Sequence, residues 1–568
     1  MSAAREQSRY GGYDADGTPS AARARRAVER LNPPNRLWGS NGVAFGPDGR
    51  LYVAQFLAGQ ISAVDPATGE VEVVVPMDSP VQSPDDLAFG ADGSMYIADL
   101  VPGRVWRRGP EGEYTLVSGD VANPNGITCL GDRLFVNEMK PDGRLMELFP
   151  DGGRKPVVLT SGLALGNAMQ VGPDGHLYYP HMMSGPNPLL NGQVWRIPPD
   201  GGAPEVVADD VHQPVAVRFD QGGVLHVLSR GPEGIVTRID LHGSGSRTLV
   251  TSGVVGLDNA AFDTENRMFV SSYASGGVTE LHPDGRTSEI VPRGLDGPYG
   301  VTIDLGGTVY AADHYRVATT GPSGADRAGG VRTLSLLHFS HGIVADGELL
   351  HLTSQFGQVQ TYDPETGTTR ERANGLRRPL GITVAPDGSL VVAESDAGRV
   401  VALDERDVLT VLAEGLEQPV DVAFDAEGRC HVSDERLGAV LRIEADGPPT
   451  VVADGLEAPQ GLAVLGDELF VVETGARRLR AVSLATGATG ATGESRVEAE
   501  DLPVGPPPGV VPRAEPALFA NGMPGMARRF AGLAVAPDGA LLLSANGEGT
   551  VLRLTPVRTP GLDPATGP

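Results

Sequence analysis

The sequence predicts an all-β chain of tandem β-propellers: twelve four-stranded blades grouped as two six-bladed rings. Three observations carry that prediction. A module of about 40 residues recurs twelve times along the 568-residue chain. Nearly every copy sets a tight polar turn, often of the Pro-Asp-Gly kind, between two short apolar runs. Glycine and proline, at 77 and 46 copies, are spread along the chain, as many turns require, and do not gather into one low-complexity tract.

Taken in order, residues 1–36 form an N-terminal extension outside the repeat. Pro19 to Leu31 predicts a short helix there, stopped by Asn32-Pro33-Pro34. The repeats then begin with NGVAFGPDGRLYVA at Asn41 and end with AGLAVAPDGALLLS at Ala531. Within each, a short apolar strand meets a turn such as Pro47-Asp48-Gly49, where Asp bonds the local backbone and Gly accepts positive φ. A second strand rich in Leu, Tyr, Val and Phe follows, then a polar loop, a third strand such as 59–64 and a fourth such as 71–75. Four strands in about 40 to 45 residues make a propeller blade. Neither apolar face of a blade can be buried by the blade itself, so blades stack around an axis.

Twelve blades in one ring would enclose a wide wet hole, since propellers run from about four to eight. Two rings of six follow, over residues 37–295 and 296–568, with the boundary near Arg293 to Gly297; seven plus five suits the spacing less well. Residues 484–528, rich in Gly, Ala and Pro, interrupt the last repeat as an insertion. The twelfth blade lacks a fourth strand after Val551 to Leu554, so a segment from elsewhere must close it.

Composition excludes some functions. A net charge of −27, with no basic cluster beyond Arg23 to Arg30, argues against a nucleic-acid partner and against an anionic membrane surface. No run of eighteen apolar residues and no signal-like N-terminus appears, which predicts a cytoplasmic protein. Cys129 and Cys430 fall in different predicted rings, so no disulfide is expected.

Blade geometry brings two sets of side chains to the top mouth of each ring, where propeller ligands bind. One set opens the inner strands. In the first ring these openers are Asn41, Asp85, Asn125, Asn167, Val215 and Asp258. Five are Asn or Asp, and a ring of amide and carboxylate oxygens suits a hard divalent cation, calcium or magnesium. The plainer reading is that Asn and Asp here satisfy backbone donors at loop-to-strand turns. The openers of the second ring, Tyr299, His341, Leu380, Val420, Gln460 and Ala531, offer no such ring of oxygens.

The other set lies in the loop after the second strand. Histidine beside a carboxylate is the minimum for proton transfer near neutral pH. His181 with Glu138 supplies it in the first ring; His314 and His341 with Glu394 or Glu473 supply it in the second. The run His314-Tyr315-Arg316 beside His341 is the densest cluster of candidate catalytic side chains. Set against this, polar loops carry such residues whether or not they do chemistry.

At the repeated Pro-Asp-Gly turns and the opener Pro124-Asn125-Gly126-Ile127, the chain resembles the NHL-like and gluconolactonase-like (senescence marker protein) propellers, and more loosely virginiamycin B lyase. The resemblance spans nearly all of residues 38–556. It implies a six-bladed ring with one axial divalent metal, held by Glu, Asn, Asn and Asp, that opens lactones through activated water. The lyase likeness implies elimination with magnesium and a histidine base. Asn125 matches the family's asparagine; Asn41, Asn167 and Asp258 match by their place in the repeat. Where the family's catalytic aspartate is expected, Asn167 and Val215 stand. Two functions compete: a small-molecule hydrolase, lyase or cyclase acting on a lactone-like or other carbonyl substrate, and an NHL-type scaffold that holds a protein partner on its top face.

Overall fold

The computed structural model describes residues 25–151, 153–183, 191–241, 243–321, 330–485, 494–505 and 530–557. The chain is a tandem β-propeller. Its described residues fall into two compact units: Asn35–Asp296, and the residues up to Pro34 joined with those from Gly297 onward.

The first unit consists of six antiparallel four-stranded sheets, each built from strands consecutive in sequence. The first of them runs Ser40–Phe45, Leu51–Gln55, Gln60–Val64 and Val71–Val75. Apolar side chains pack between blades: Ala54, Ile61 and Ala63 of the first blade meet Leu87, Met95 and Ile97 of the second. The ring closes without a shared sheet, by packing of Leu37, Val43 and Val53 against Phe269, Val278 and Val291 of the sixth blade. Ser271 Oγ also donates to the Asn41 carbonyl across that seam at 2.5 Å. Val43, Leu87, Ile127, Met169, Arg218 and Ala260, one from each inner strand or its immediate start, line a central channel of about 580 Å³.

The second unit also presents six inner strands, which line a channel of about 310 Å³ through Val301, Ile343, Ile382, Val422, Leu462 and Leu533. Its construction departs from the predicted pattern in three places. First, among the described residues the sheets number ten of four strands and one of six, not twelve of four. The six-stranded sheet arises because the second strand of the seventh repeat continues as Val309–Thr320. It pairs with the start of Val331–Asp346, from Thr320↔Val331 to His314↔Ser340. The rest of Val331–Asp346 becomes the inner strand of the next blade. No Pro-Asp-Gly turn interrupts Val317 to Thr320 or Val331 to Leu336, and their Val and Thr side chains favour extension.

Second, the helix predicted from Pro19 to Leu31 is, in its described part, a strand. Arg26–Arg30 pairs antiparallel with Thr550–Pro556, from Arg26↔Pro556 to Arg30↔Leu552. This is the fourth strand that the twelfth blade lacked. The alternation, not the helix propensity of Ala, Arg and Glu, decides the outcome. Arg26, Val28 and Arg30 are more buried than Ala27 and Glu29, and Val28 packs on the core of the last two blades. Arg26 lies over the Phe470 ring at 4.7 Å and pairs with buried Glu498 at 2.9 Å. Residues 19–24 of the predicted helix lie outside the described residues.

Third, the insertion is not wholly outside the repeat. Ser495–Ala499 is the fourth strand of the eleventh blade, paired with Arg478–Ser483. Both cysteines are free thiols, as their separation led us to expect.

Candidate functional site

In the first propeller the pairing of inner and second strands shifts register near the opener in five blades. Such bulges re-aim a side chain. Glycine after the opener has a steric reason. A Cβ on Gly42 would sit 2.3 Å from Asp86 Oδ1, and one on Gly126 would sit 2.2 Å from the Asn167 carbonyl. The Asn-Gly pairs exist because the next inner strand passes this close.

The openers meet around Asp85. Its carboxylate accepts the Asn41 amide at 3.2 Å on one oxygen and the Asn125 amide on the other. The Asn125 and Asn167 amides both abut the Met139 sulfur, at 3.2 and 3.7 Å. The Asn167 oxygen is taken by the Ala168 N–H at 2.7 Å, whereas Asn125 Oδ1 is buried without a partner among the described residues. Val215, the apolar opener, is buried as well. Burial, and then the charge of Asp86, pushes Asp85 up to about 8. Asp258 is raised well above its ordinary value by burial first and then by Asp85 and Asp86.

Asp86 lies beside the opener and ties neighbouring strands together. It accepts the N–H groups of Leu87 at 2.9 Å and Ile127 at 3.3 Å, and the Asn259 amide at 3.1 Å. Burial lifts it to about 6 even so, against the pull of Arg218 and these donors. Buried Arg218 donates to the carbonyls of Ala260, Met169 and Val217 at 2.8, 3.0 and 2.7 Å, and its guanidinium lies 4.0 Å from Asp86. The described part of this cluster therefore sets three buried carboxylates, Asp85, Asp86 and Asp258, against one buried guanidinium. Among the described residues no three His, Cys, Asp or Glu side chains form a ligand set by themselves, so any cation here would rest on amide oxygens too.

Asp86 and Arg218 escaped the sequence analysis, although both leave a trace in it. Asp86 replaces the glycine of Asn-Gly openers, and Arg218 stands where other inner strands carry Ala44, Ala88 or Thr128. Asp421 repeats the Asp86 device in the second propeller. It accepts the N–H groups of Val422 and Leu462 at 2.9 Å each, and burial pushes it up to about 7.

The carboxylates expected to serve as proton carriers are bound to the framework instead. Glu138 accepts the Ala122 and Arg144 amides at 2.9 and 3.0 Å and the Arg144 guanidinium. Glu394 accepts the Arg377 amide at 2.7 Å and Arg399 at 2.5 Å. Glu473 accepts the Glu457 amide at 3.0 Å, Arg478 at 2.8 Å and Arg480 at 2.6 Å. Asp99 and Asp434 repeat the pattern, each taking two N–H groups of the loop that enters its blade. The shared task is to tie that loop to the end of the second strand. Burial alone would raise Glu138 and Glu473, yet the donors outweigh it and hold both below the usual range.

His181 stacks on Trp195 with ring centroids 4.9 Å apart, and burial drops it to about 4, so it is neutral at physiological pH. In the second propeller, His314 Nδ1 meets the Gln355 amide at 3.0 Å and the Tyr299 hydroxyl at 3.2 Å. The Tyr299 ring also stands 5.4 Å from that of His341, and Tyr315 packs edge-on against His314 at 4.2 Å. Burial, then His341, drops His314 to about 3. Structure thus joins His314 to His341 through Tyr299 and Tyr315 to His314 directly, while Glu394 and Glu473 are engaged with their own loops.

No family model matches the chain, and no curated protein matches it. Similar solved structures include a virginiamycin B lyase from Staphylococcus aureus, at 14% identity over 58% of this chain and 95% of that one, with a TM-score of 0.24. The tricorn protease is 14% identical over 92% of this chain and 58% of its own, with a TM-score of 0.34. A chain of a nidogen/laminin complex is 20% identical over 41% of this chain and 88% of its own, with a TM-score of 0.36.

Proposed function

We propose that the protein is a cytoplasmic enzyme of small-molecule metabolism. It opens or forms a lactone-like or related carbonyl compound at the axial end of the first propeller, with a divalent cation, calcium or magnesium, held there. One observation carries this reading: Asp85, Asp86 and Asp258 are buried together, with Arg218 as their basic partner among the described residues. Burying a carboxylate without a counter-charge costs several kcal/mol, so such a cluster calls for a proton or a cation.

The donors suit a hard cation. Asp85 and Asp258 supply carboxylate oxygens, and Asn125 supplies a buried amide oxygen that has no other partner among the described residues. Asn41 completes the amide set and Asn167 borders it through Met139. When bound, a divalent cation polarises a carbonyl and stabilises negative charge that develops on its oxygen. The chain's own part is to orient and to exclude water. The Asn41 and Asn125 amides fix Asp85, and the Ile127 amide with Arg218 fixes Asp86 one step along the axis. Resemblance to the gluconolactonase-like propellers at Pro124-Asn125-Gly126 supports the same reaction class.

Turnover of a panel of aliphatic and aryl lactones by the purified protein tests this reading. Activity is expected to fall at least tenfold in excess chelator and to return on adding calcium or magnesium. Full activity in chelator would overturn it.

A further inference from the structure

The second propeller contains a polar atom that neither the framework nor the proposed cation site uses. His314 is fully buried, and its Nε2 has no partner among the described residues. The other ring nitrogen is engaged. Gln355 brings its Nε2 amide to His314 Nδ1 at 3.0 Å, and a primary amide nitrogen can only donate. With the Gln355 amide in this orientation, Nδ1 accepts, and the proton of the neutral ring sits on Nε2. The Tyr299 hydroxyl, 3.2 Å from the same Nδ1, can share the lone pair there as a second donor and is compatible with this tautomer. The outcome is an oriented, buried N–H donor with no acceptor among the described residues.

The backbone marks the same residue. His314 has φ +50°, whereas its counterparts after the second strand in other blades, such as Phe56, Leu100, Met139 and Gln355, have no positive φ. Left-handed backbone at a non-glycine residue concentrates at functional positions. Phe339, also at positive φ, gives no such signal. Asn123, Leu165, Gln213, Arg378 and Ala458 share its place before the inner strand and its conformation.

The surroundings define what the donor would meet. Among the described residues, the groups in contact with the imidazole are an amide, a phenol and aromatic rings, none of them charged. The adjacent ion pair, Asp313 with Arg316, joins at 2.8 Å, and Arg316 also donates to Thr333. Among the described residues, an anion would find no cation against the ring to balance it. Aromatic side chains lead outward from His314. Tyr315 packs on Phe339 at 5.5 Å, Phe339 packs on Phe356 at 5.1 Å, and Phe356 is 38% exposed.

We propose that the second propeller carries a ligand site of its own, at which His314 Nε2–H donates to the carbonyl oxygen of an uncharged compound whose apolar body rests on Tyr315, Phe339 and Phe356. Here His314 is a hydrogen-bond donor and not a general base. The site is independent of the cation cluster, so either proposal can fail alone.

The test uses the full chain, ¹⁵N-labelled at histidine, with acetophenone as the probe, ethylbenzene as its carbonyl-free match and benzoate as its anionic match. Loss of one resonance set in His314→Phe assigns the ring. The expected spectrum shows the Nε2–H tautomer. Acetophenone should shift that resonance and bind at least fivefold tighter than ethylbenzene, while benzoate should bind more weakly than either, with or without chelator. His314→Phe should abolish the preference for acetophenone over ethylbenzene. If that variant does not fold, Gln355→Leu serves, and it should weaken acetophenone binding by releasing the tautomer. An Nδ1–H tautomer, equal binding of acetophenone and ethylbenzene, tighter binding of benzoate, or a resonance that no probe moves because water alone satisfies Nε2 would each overturn the proposal.

Discussion

A chain that starts at Asn35 will lose its second propeller. Removing the preceding residues takes away strand Arg26–Arg30 and the ladder it forms with Thr550–Pro556. Buried Glu498 loses Arg26, at 2.9 Å, and fully buried Glu548 loses Arg30, at 2.8 Å. Asn32 no longer bridges the Gly549 carbonyl and the Val551 amide, at 2.8 and 3.0 Å. Breaking a single buried ion pair by deleting one partner costs about 3–5 kcal/mol. Arg496 at 2.8 Å still compensates Glu498, and Thr550 at 2.8 Å partly satisfies Glu548, so the two losses are smaller than twice that. With the edge of Thr550–Pro556 exposed as well, the total is comparable to the ~5–15 kcal/mol stability of a whole domain. Urea unfolding followed by circular dichroism should show the second unit melting early or aggregating. The first unit, closed by its own side chains, should retain its transition. Adding a peptide of residues 25–34 should restore the lost transition. An unchanged urea profile for the truncated chain would refute this account of closure.

Arg218→Met should be the most damaging single substitution in the first propeller. It removes the guanidinium that faces Asp86 and strips donors from the carbonyls of Ala260, Met169 and Val217. We expect a loss of about 3–5 kcal/mol, the cost of leaving a buried charge uncompensated. The diagnostic is the pair. Arg218→Met with Asp86→Asn removes both charges, and it should recover a large part of the lost stability, because the two are coupled through one contact. Additive losses in the double variant would mean that the carbonyl bonds, not the charge, are what Arg218 provides.

These expectations also show where sequence reading reached and where it stopped. The blade repeat was legible because turn and strand chemistry are local: Pro47-Asp48-Gly49 and its copies fold as their residue types dictate. The difference between the two rings was legible in the openers, since Asn125 and Asp258 against Leu380 and Val420 is a difference of chemistry at one repeat position. The role of Arg26–Arg30 was not, because its local composition favours helix while its partner lies at the far end of the chain. Glu138, Glu394 and Glu473 misled for a different reason. A carboxylate that anchors a loop has the same sequence appearance as one that moves a proton, and only its partners tell them apart. The pairing of Gln355 with His314 joins consecutive repeats in space, which no single repeat displays.

Metal content of the purified protein most directly tests the central claim that the Asp85–Asp258 cluster is a divalent-cation site. Wild type should be compared with Asp85→Asn and Asp258→Asn after equilibration with calcium and magnesium and removal of the free ions. Stoichiometric calcium or magnesium in wild type, lost in both variants, is the predicted result. A wild-type protein that retains neither ion, or equal content in all three, would contradict it.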